Sequence, residues 1–206
     1  MRKLILQEFV TLEGFVAGPN NSVDFVPAAT KDDRSFGREQ LALMDEVDAI
    51  LLGRITYEMF AAYWPNAKGD EKAFGDRMSA TPKTVFSRTL DHAPWGSWPE
   101  CLIIRTDPAE EVRRLTLASG KNIVVWGSIS VAQQLMKAGL VDEYRLVVCP
   151  VVLGEGRPLF PDRISIDMAL TTVRPLDRGA VYLKYEQDTR PSAGAKDERR
   201  SHVAAR

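Results

Sequence analysis

The apolar positions follow two patterns along the chain. Over the first three quarters, short apolar runs that predict strands alternate with stretches whose apolar residues have helical spacing. In the last quarter, further strand-like runs follow one another with no helical stretch between them. The predicted strands cover residues 3–11, 49–52, 83–87, 101–104, 123–126, 143–153, 168–174 and 180–187. This order predicts an α/β fold, with a mixed sheet flanked by helices.

Helices are predicted between these strands, with a long Gly/Pro/Asn-rich loop over 12–30. One helix, over 33–47, places Phe36, Leu43, Met44 and Val47 at helical spacing, and another opens at Gly53 with Met59, Phe60 and Tyr63 on one side. A third is expected near 70–79. A fourth starts at Asp107, which can cap the helix ahead of Pro108, and the last runs over 129–138 until Gly139.

Composition and charge narrow the class of protein. The chain has 206 residues, 45% of them hydrophobic and 27% charged, which predicts a globular domain. Its formal net charge is −1, whereas proteins that bind nucleic acid in bulk are usually basic. No window approaches 18 apolar residues, so no membrane span is expected. Gln7 and Glu8 also end the first apolar run too early for a signal peptide. We therefore expect a cytoplasmic protein. Cys101 and Cys149 are expected to be reduced and buried.

The domain organisation follows from the same patterns. Residues 1–187 contain no interior linker and no repeat, which predicts one domain. Residues 188–206 carry Pro, Ser, Gly, Ala and charges with no apolar period, and they predict a disordered, charged tail.

Candidate chemistry lies just after three of the predicted strands. The clusters are Gly53-Arg54-Ile55-Thr56-Tyr57-Glu58, Ser87-Arg88-Thr89 and Gly127-Ser128-Ile129-Ser130. Ligands of open α/β sheets bind beyond the carboxyl ends of the strands, and helix N-termini there favour phosphate. Arg54 and Arg88 add permanently charged, bidentate donors. Each cluster alone is more often a turn, a cap or a solvated arginine, but their recurrence favours a pocket for a ligand with several phosphates.

Other motifs give no alternative chemistry. The segment 154–159 lacks the third glycine of a dinucleotide fingerprint and contains Pro158. The two histidines are His92, in a loop, and His202, in the predicted tail. Neither a serine-hydrolase triad nor a metal site is expected from them.

The clusters occur in an order that resembles a known family. The pieces are Thr11–Gly18, Leu52–Glu58, Lys83–Arg88, Trp126–Ser128, Asp142–Tyr144 and Pro150–Phe160. Together, from about residue 2 to 187, they resemble the dihydrofolate reductase-like fold. Within it they look most like the reductase domain of the bifunctional riboflavin-biosynthesis deaminase/reductase and its stand-alone relatives. The resemblance implies a three-layer α/β/α architecture with a mixed, mainly parallel central sheet that ends in antiparallel strands.

The resemblance also implies an NADPH-dependent reductase. Gly53, Arg54 and Thr56 would hold the adenosine end and the phosphates of NADPH. Ser87 and Arg88 would hold its 2′-phosphate. The pyrophosphate would lie at the segment Trp126–Ser130, which comprises Trp126, Gly127, Ser128, Ile129 and Ser130. The loop 12–26 would cover the nicotinamide, and residues 150–160 would line the substrate mouth. The candidate substrate-binding residues are Gly14, Leu153, Gly154 and Gly156.

The expected reaction is hydride transfer to a small polar substrate. The best candidate is 5-amino-6-(5-phosphoribosylamino)uracil, with Glu13 and Asp24 as candidate proton donors. Asp24 is equally well explained as a turn residue. The usual Asp-Gly of the first loop is Glu13-Gly14 here, the usual Glu-Gly-Gly is Trp126-Gly127-Ser128, and the zinc signature of the fused deaminase does not occur.

Two other functions stay open. The chain could reduce dihydrofolate, a pterin or another small molecule. It could also be a non-catalytic nucleotide binder that acts as a homodimer, with an interface built from its terminal strands and the apolar run Leu146–Val148.

Overall fold

The computed structural model describes residues 1–188, which form an eight-stranded sheet covered by helices and a separate two-stranded ribbon. The predicted tail, apart from residue 188, lies outside the described residues. The strands are β1 (Leu4–Val10), β2 (Phe15–Ala17), β3 (Val47–Gly53), β4 (Lys83–Phe86), β5 (Leu102–Ile104), β6 (Asn122–Trp126), β7 (Glu143–Val148), β8 (Arg157–Pro158), β9 (Met168–Pro175) and β10 (Val181–Gln187). The helices are α1 (Phe25–Thr30), α2 (Arg34–Glu46), α3 (Arg54–Tyr63), α4 (Lys72–Ala80), α5 (Pro108–Leu117) and α6 (Ile129–Lys137).

The sheet is mostly parallel. Its order is β5-β4-β3-β6-β1-β7-β10-β9, and every pair from β5 to β7 is parallel. The last two strands, β10 and β9, are antiparallel to their neighbours. The predicted mixed sheet that ends in antiparallel strands is therefore confirmed. All the parallel strands end at one edge, and we call it the carboxyl edge.

Apolar side chains fill both sides of the sheet. On one side Leu4, Leu6 and Val125 pack with Val112 of α5 and Leu135 of α6. On the other side Ile5, Ile50 and Val124 pack with Leu43 of α2 and Met78 of α4. Burial of both faces explains why the central parts of these parallel strands, such as Ile50–Leu52 and Ile123–Val125, are wholly apolar.

The predicted loop over 12–30 contains more regular structure than its composition suggests. The short strand β2 pairs with β8, and α1 follows it. Phe25 and Ala29, four residues apart on α1, are buried in a cluster with Val147 and Tyr182. Burial of this one face therefore orders a segment that Gly, Pro and Asn would otherwise leave irregular.

Three other predictions need correction. Val47 belongs to β3 and not to the preceding helix. The predicted face of α3 is right only for Phe60, which packs against the core; Met59 and Tyr63 are 46% and 51% exposed, and Thr56 and Tyr57 are buried instead. The run Leu146–Val148 lies in β7, between β1 and β10, so it is an interior part of the sheet and not a free interface.

Several local predictions hold. Asp107 caps α5 by accepting a hydrogen bond from the Ala109 N–H at 2.8 Å, and Gly139 follows α6 with a φ of +65°. Cys101 and Cys149 are both buried and unbridged. Within residues 1–188, no helix has the length and apolar character needed to cross a bilayer.

Candidate active site

Three neighbouring strands bring the predicted clusters to one edge of the sheet. β4, β3 and β6 are adjacent and parallel, so residues 87–89, 53–58 and 127–130 all follow at the carboxyl edge. Gly53 is in register with Phe86, immediately before Ser87. The sequence therefore predicted the location of these clusters correctly, because parallel strands place consecutive strand ends side by side.

Two of the clusters are locked together by side-chain hydrogen bonds. The Gly53 N–H donates to Ser128 Oγ at 2.7 Å, and the Ser128 N–H donates to Thr56 Oγ1 at 3.0 Å. The Ser128 hydroxyl also donates to the Trp126 carbonyl at 2.9 Å. These bonds are buried, and they fix the start of α3 against the start of α6. We call this arrangement of Gly53, Thr56, Gly127 and Ser128 the cradle.

The turn at Gly127 and Ser128 packs closely against Thr56 of α3. Gly127 and Ser128 have φ values of +53° and +57°, two consecutive residues in the left-handed region. A side chain on Gly127 would place its Cβ 3.2 Å from Thr56 Cγ2, so glycine fits best there. The N–H groups of Gly127 and Ser128 already donate to the Gln7 carbonyl and to Thr56 Oγ1, so the donors left for a ligand are the first N–H groups of α3 and α6, which have no helical acceptor. The cradle therefore suits an anionic ligand.

The predicted arginines are in different situations. Arg54, at the start of α3, donates to both carboxylate oxygens of Glu58 at 2.9 Å. Arg88 is exposed on the turn after β4. That turn is held by Arg105, which donates to the Arg88 carbonyl at 3.0 Å and to the Leu90 carbonyl at 2.7 Å. Sequence reasoning missed Arg105, although its place directly after β5 was a signal.

Other predicted nucleotide-binding residues have structural partners. Trp126 is buried, with its ring against Phe60 and Phe74, so that only its backbone belongs to the cradle. Ile129 is buried in the core, and Ser130 is exposed. Ser87 Oγ accepts hydrogen bonds from the N–H groups of Thr89 and Leu90, at 3.2 and 3.1 Å. Its hydroxyl therefore shapes the turn that carries Arg88.

The predicted substrate residues form one loop cluster. Both carboxylate oxygens of Glu13 accept backbone hydrogen bonds, from Leu153 N–H at 2.6 Å and from Gly154 N–H at 3.0 Å. Gly14 turns with a φ of +80°, and its carbonyl accepts from Leu159 N–H at 3.0 Å. A Cβ on Gly156 would lie 2.5 Å from the Ala17 carbonyl oxygen. Glycine is therefore required where the ribbon of β2 and β8 closes.

A cavity of about 480 Å³ opens beside this cluster. Its walls are residues 18–21 and 155–158, and Arg157 lies among them. Asp24 follows the cavity-lining residues 18–21 closely in sequence, and it is exposed. Its carboxylate accepts a hydrogen bond from the Ser22 hydroxyl at 2.8 Å. Among residues 1–188 no group of three His, Cys, Asp or Glu side chains has a geometry suited to a metal ion.

Buried polar side chains on β1 and α2 were not among the predicted site residues. Gln7, Glu8 and Gln40 are 0%, 6% and 4% exposed. Both amide atoms of each glutamine, and Oε2 of Glu8, are buried without a hydrogen-bond partner. Burial raises the pKa of Glu8 to about 8, although a hydrogen bond from Phe9 N–H and the charge of Arg157 oppose the change. The available signal was two polar residues in the middle of an apolar strand.

Replacing Ser128 by alanine should destabilise the chain before any ligand is added. The change leaves the buried Gly53 N–H without an acceptor, at a cost of about 1–3 kcal/mol. Denaturant unfolding measures this loss, and the matched variant Ser130→Ala, at an exposed position of the same cluster, should stay within about 0.5 kcal/mol of the wild type. Equal stabilities of the two variants would show that the bond does not hold the cradle together.

The sheet order and the cradle at its carboxyl edge define a dihydrofolate reductase-like α/β protein. The model of the RibD C-terminal domain matches residues 2–182, and the chain belongs to that family. The fold and the family expected from the sequence are thus confirmed.

Two proteins of Bacillus subtilis strain 168 are similar in sequence, and both carry the description uncharacterised. YyaP is 34% identical over 187 residues, which cover 89% of this chain and 94% of YyaP. YwjB is 29% identical over 164 residues, which cover 77% of this chain and 83% of YwjB. The sequence similarity therefore extends over most of the length of both relatives.

Solved structures share the fold at low sequence identity. A protein from Shewanella sp. PV-4 assigned to riboflavin biosynthesis has a TM-score of 0.71 at 20% identity, covering 90% of this chain and 99% of that one. The deaminase/5-amino-6-(5-phosphoribosylamino)uracil reductase of Thermotoga maritima has a TM-score of 0.61 at 12% identity, covering 91% of this chain and 57% of that one. At these identities the likeness concerns the fold.

Proposed function

We propose that this chain is an NADPH-dependent reductase that transfers a hydride to a small polar substrate. The best candidate substrate is 5-amino-6-(5-phosphoribosylamino)uracil, which the Thermotoga maritima neighbour is named for reducing. The observation that carries the proposal is the cradle, where two helix starts are locked side by side at the edge of a parallel sheet.

The cradle fits the anionic part of a dinucleotide. Helix N-termini carry a partial positive charge and free N–H groups, and both properties favour a pyrophosphate. Gly127 lets the turn after β6 pack against Thr56, and the buried bonds through Ser128 hold the two helix starts in place. Arg54 and Arg88 flank the cradle on the β3 and β4 side, where a further phosphate would meet permanent positive charge. NADPH, when bound, supplies the hydride.

The chain's own contribution is positioning and exclusion of water. Glu13 ties the first loop to residues 153–154, so the two segments next to the cavity are held as one unit. Gly14, Leu153, Gly154 and Gly156 all belong to this unit, which supports their proposed role at the substrate mouth. The rigid loop pair would shield the reacting atoms from solvent.

A carbonyl acceptor needs a proton on its oxygen after reduction. Glu13 and Asp24 remain the proposed donors, and their contacts favour different roles. Both Glu13 oxygens already accept backbone N–H bonds, which favours a structural role. Asp24 is exposed and bound only to a serine hydroxyl among the contacts that involve its side chain, which leaves it accessible to substrate or water.

A non-catalytic, dimeric nucleotide binder is the second candidate. β9 is the last strand of the sheet, and it exposes Leu170 and Val173 by 50% and 54%. A free edge strand with apolar residues can pair with a second copy of the chain. A homodimer formed through this edge is compatible with either function.

The test of the proposal follows NADPH and substrate separately. NADPH binding is measured by calorimetry, and turnover by the loss of the reduced-nicotinamide absorbance with 5-amino-6-(5-phosphoribosylamino)uracil, dihydrofolate or a pterin as acceptor. We expect binding of NADPH and turnover with the uracil compound. Tight binding without turnover on any acceptor would favour the non-catalytic alternative, and the absence of NADPH binding would reject the reductase.

A further inference from the structure

Arg105 connects the ends of two neighbouring strands at the carboxyl edge. It is the first residue after β5, and β5 pairs in parallel with β4, so that Phe86 is in register with Ile104. The Ser87 N–H extends this pairing by donating to the Ile104 carbonyl at 3.1 Å. Arg105 therefore begins beside Ser87, at the base of the turn that carries Arg88.

The guanidinium of Arg105 bonds the carbonyls of this turn, residues 87–91. Its Nη1 donates to the Arg88 carbonyl at 3.0 Å, and its Nη2 donates to the Leu90 carbonyl at 2.7 Å. Nη2 also donates to an Asp91 carboxylate oxygen at 3.2 Å. Because the guanidinium is a rigid planar fork, two bonds to one turn fix the orientation of the peptide groups between them.

The N–H groups of the turn have a different partner. Those of Thr89 and Leu90 both donate to Ser87 Oγ, at 3.2 and 3.1 Å, and Ser87 is buried. The Leu90 side chain packs against the apolar cluster that contains Val85. The turn is therefore held through its N–H groups by Ser87 and through its carbonyls by Arg105.

Arg88 keeps its own donors free on this fixed turn. In the part of the chain that the structure describes, its carbonyl is bonded to Arg105, its backbone N–H and guanidinium bond no acceptor, and its side chain is exposed. An arginine that binds an anion loses conformational entropy, and a backbone fixed before binding reduces that loss. Holding the turn thus favours binding by Arg88 without any new contact to the ligand.

We propose that Arg105 is a positioning residue that sets the preference for NADPH by fixing the turn from which Arg88 binds the 2′-phosphate. This inference rests on the proposed reductase function and deepens it, since it names a residue that acts on the choice of nucleotide through another side chain. NADPH and NADH differ only in the 2′-phosphate. A purely structural role of Arg105 would weaken both nucleotides alike, whereas positioning of Arg88 changes their ratio.

The experiment is a double-mutant cycle on the full chain. The proteins are the wild type, Arg105→Ala, Arg88→Ala, the variant with both changes, and the control Arg113→Ala, which removes an exposed arginine of α5. Calorimetry gives the affinity of each protein for NADPH and for NADH. Hydrogen exchange of the Thr89 and Leu90 amides, measured without nucleotide, reports whether the turn is held.

We expect Arg105→Ala to lower the ratio of NADPH to NADH affinity roughly three- to tenfold, which is a part of the tenfold or more that one charged hydrogen bond provides. In the Arg88→Ala background the same change should leave the ratio unchanged, because Arg105 acts through Arg88. The two turn amides should exchange faster in Arg105→Ala, and at the wild-type rate in Arg88→Ala, which keeps the carbonyl bond.

Two results would overturn the inference while leaving the proposed function in place. One is a wild type that prefers NADPH and keeps its ratio when Arg105 is replaced. The other is an equal fall of the ratio with and without Arg88, which would make Arg105 itself a ligand of the phosphate. A wild type that does not bind NADPH is a different outcome, because it rejects the proposed function and the inference with it.

Discussion

Replacing Glu8 by glutamine should flatten the dependence of stability on pH between about 4.5 and 8. These limits are the ordinary pKa of the carboxyl and the value of about 8 to which burial raises it in the folded chain. Within that window the folded state keeps the proton while the unfolded state releases it, so the wild type loses stability as the pH rises. The contribution is about 1.4 kcal/mol per pH unit at most, or roughly 5 kcal/mol over the window.

The glutamine variant has no proton to release, so this contribution vanishes. Denaturant unfolding at a series of pH values gives the slope for each protein, and the difference between wild type and Glu8→Gln isolates Glu8 from every other titrating group. Glu155→Gln, on an exposed turn, is the matched control and should keep the wild-type slope. Parallel curves for wild type and Glu8→Gln would mean that Glu8 is ionised in the folded chain.

A protonated Glu8 would explain how β1 accommodates an acidic side chain in the core. Glu8 is on the face of β1 that also carries Leu6 and Val10, both in the core. A buried carboxylate without a full set of partners is far more costly than a neutral carboxyl, so the group is expected to hold its proton at neutral pH. Arg157 opposes this by favouring the charged form. Replacing Arg157 by leucine should therefore extend the window towards higher pH.

The sequence patterns predicted the clusters at the strand ends but not the buried polar residues behind them. The clusters at 53–58, 87–89 and 127–130 were located from sequence because each follows an apolar run directly, and parallel strands end together. Gln7 and Gln40 are buried through contacts between β1 and α2, such as that of the Phe9 and Phe36 rings, although β2 and α1 lie between these two elements in the chain. Strand alternation alone shows that Gln7 faces one side, but not which helix covers that side.

Other differences have the same origin in tertiary contacts. From sequence, the run Leu146–Val148 is a candidate interface. In the structure β10 pairs antiparallel with this strand and covers its edge. Glu13 is a candidate proton donor because it lies in the first loop, but the sequence could not show that the N–H groups of Leu153 and Gly154, far along the chain, bond both of its oxygens. The left-handed conformation of Ser128 also has no sequence signal, because serine seldom adopts it.

Removing Arg88 should change the choice of nucleotide more than removing Arg54. In the proposed site both arginines face the 2′-phosphate that distinguishes NADPH from NADH, and a charged hydrogen bond contributes about 1.5–3 kcal/mol. Two such bonds would favour NADPH by roughly 10²–10⁴-fold. The Arg54 guanidinium is already bonded to Glu58, so its loss removes a donor that is partly neutralised. Arg88 has an exposed side chain on a turn that Arg105 holds in place.

The measurement is the ratio of NADPH to NADH affinity for Arg88→Ala, Arg54→Ala and Glu58→Gln, with Arg113→Ala on α5 as a matched control. We expect the ratio to fall most for Arg88→Ala, to fall less for Arg54→Ala and to stay constant for Arg113→Ala. Glu58→Gln should raise it, because the change releases Arg54 from its ion pair while keeping a side chain of the same size. Equal wild-type affinities for the two nucleotides would contradict the role of both arginines, and a fall with Glu58→Gln would contradict that of Arg54.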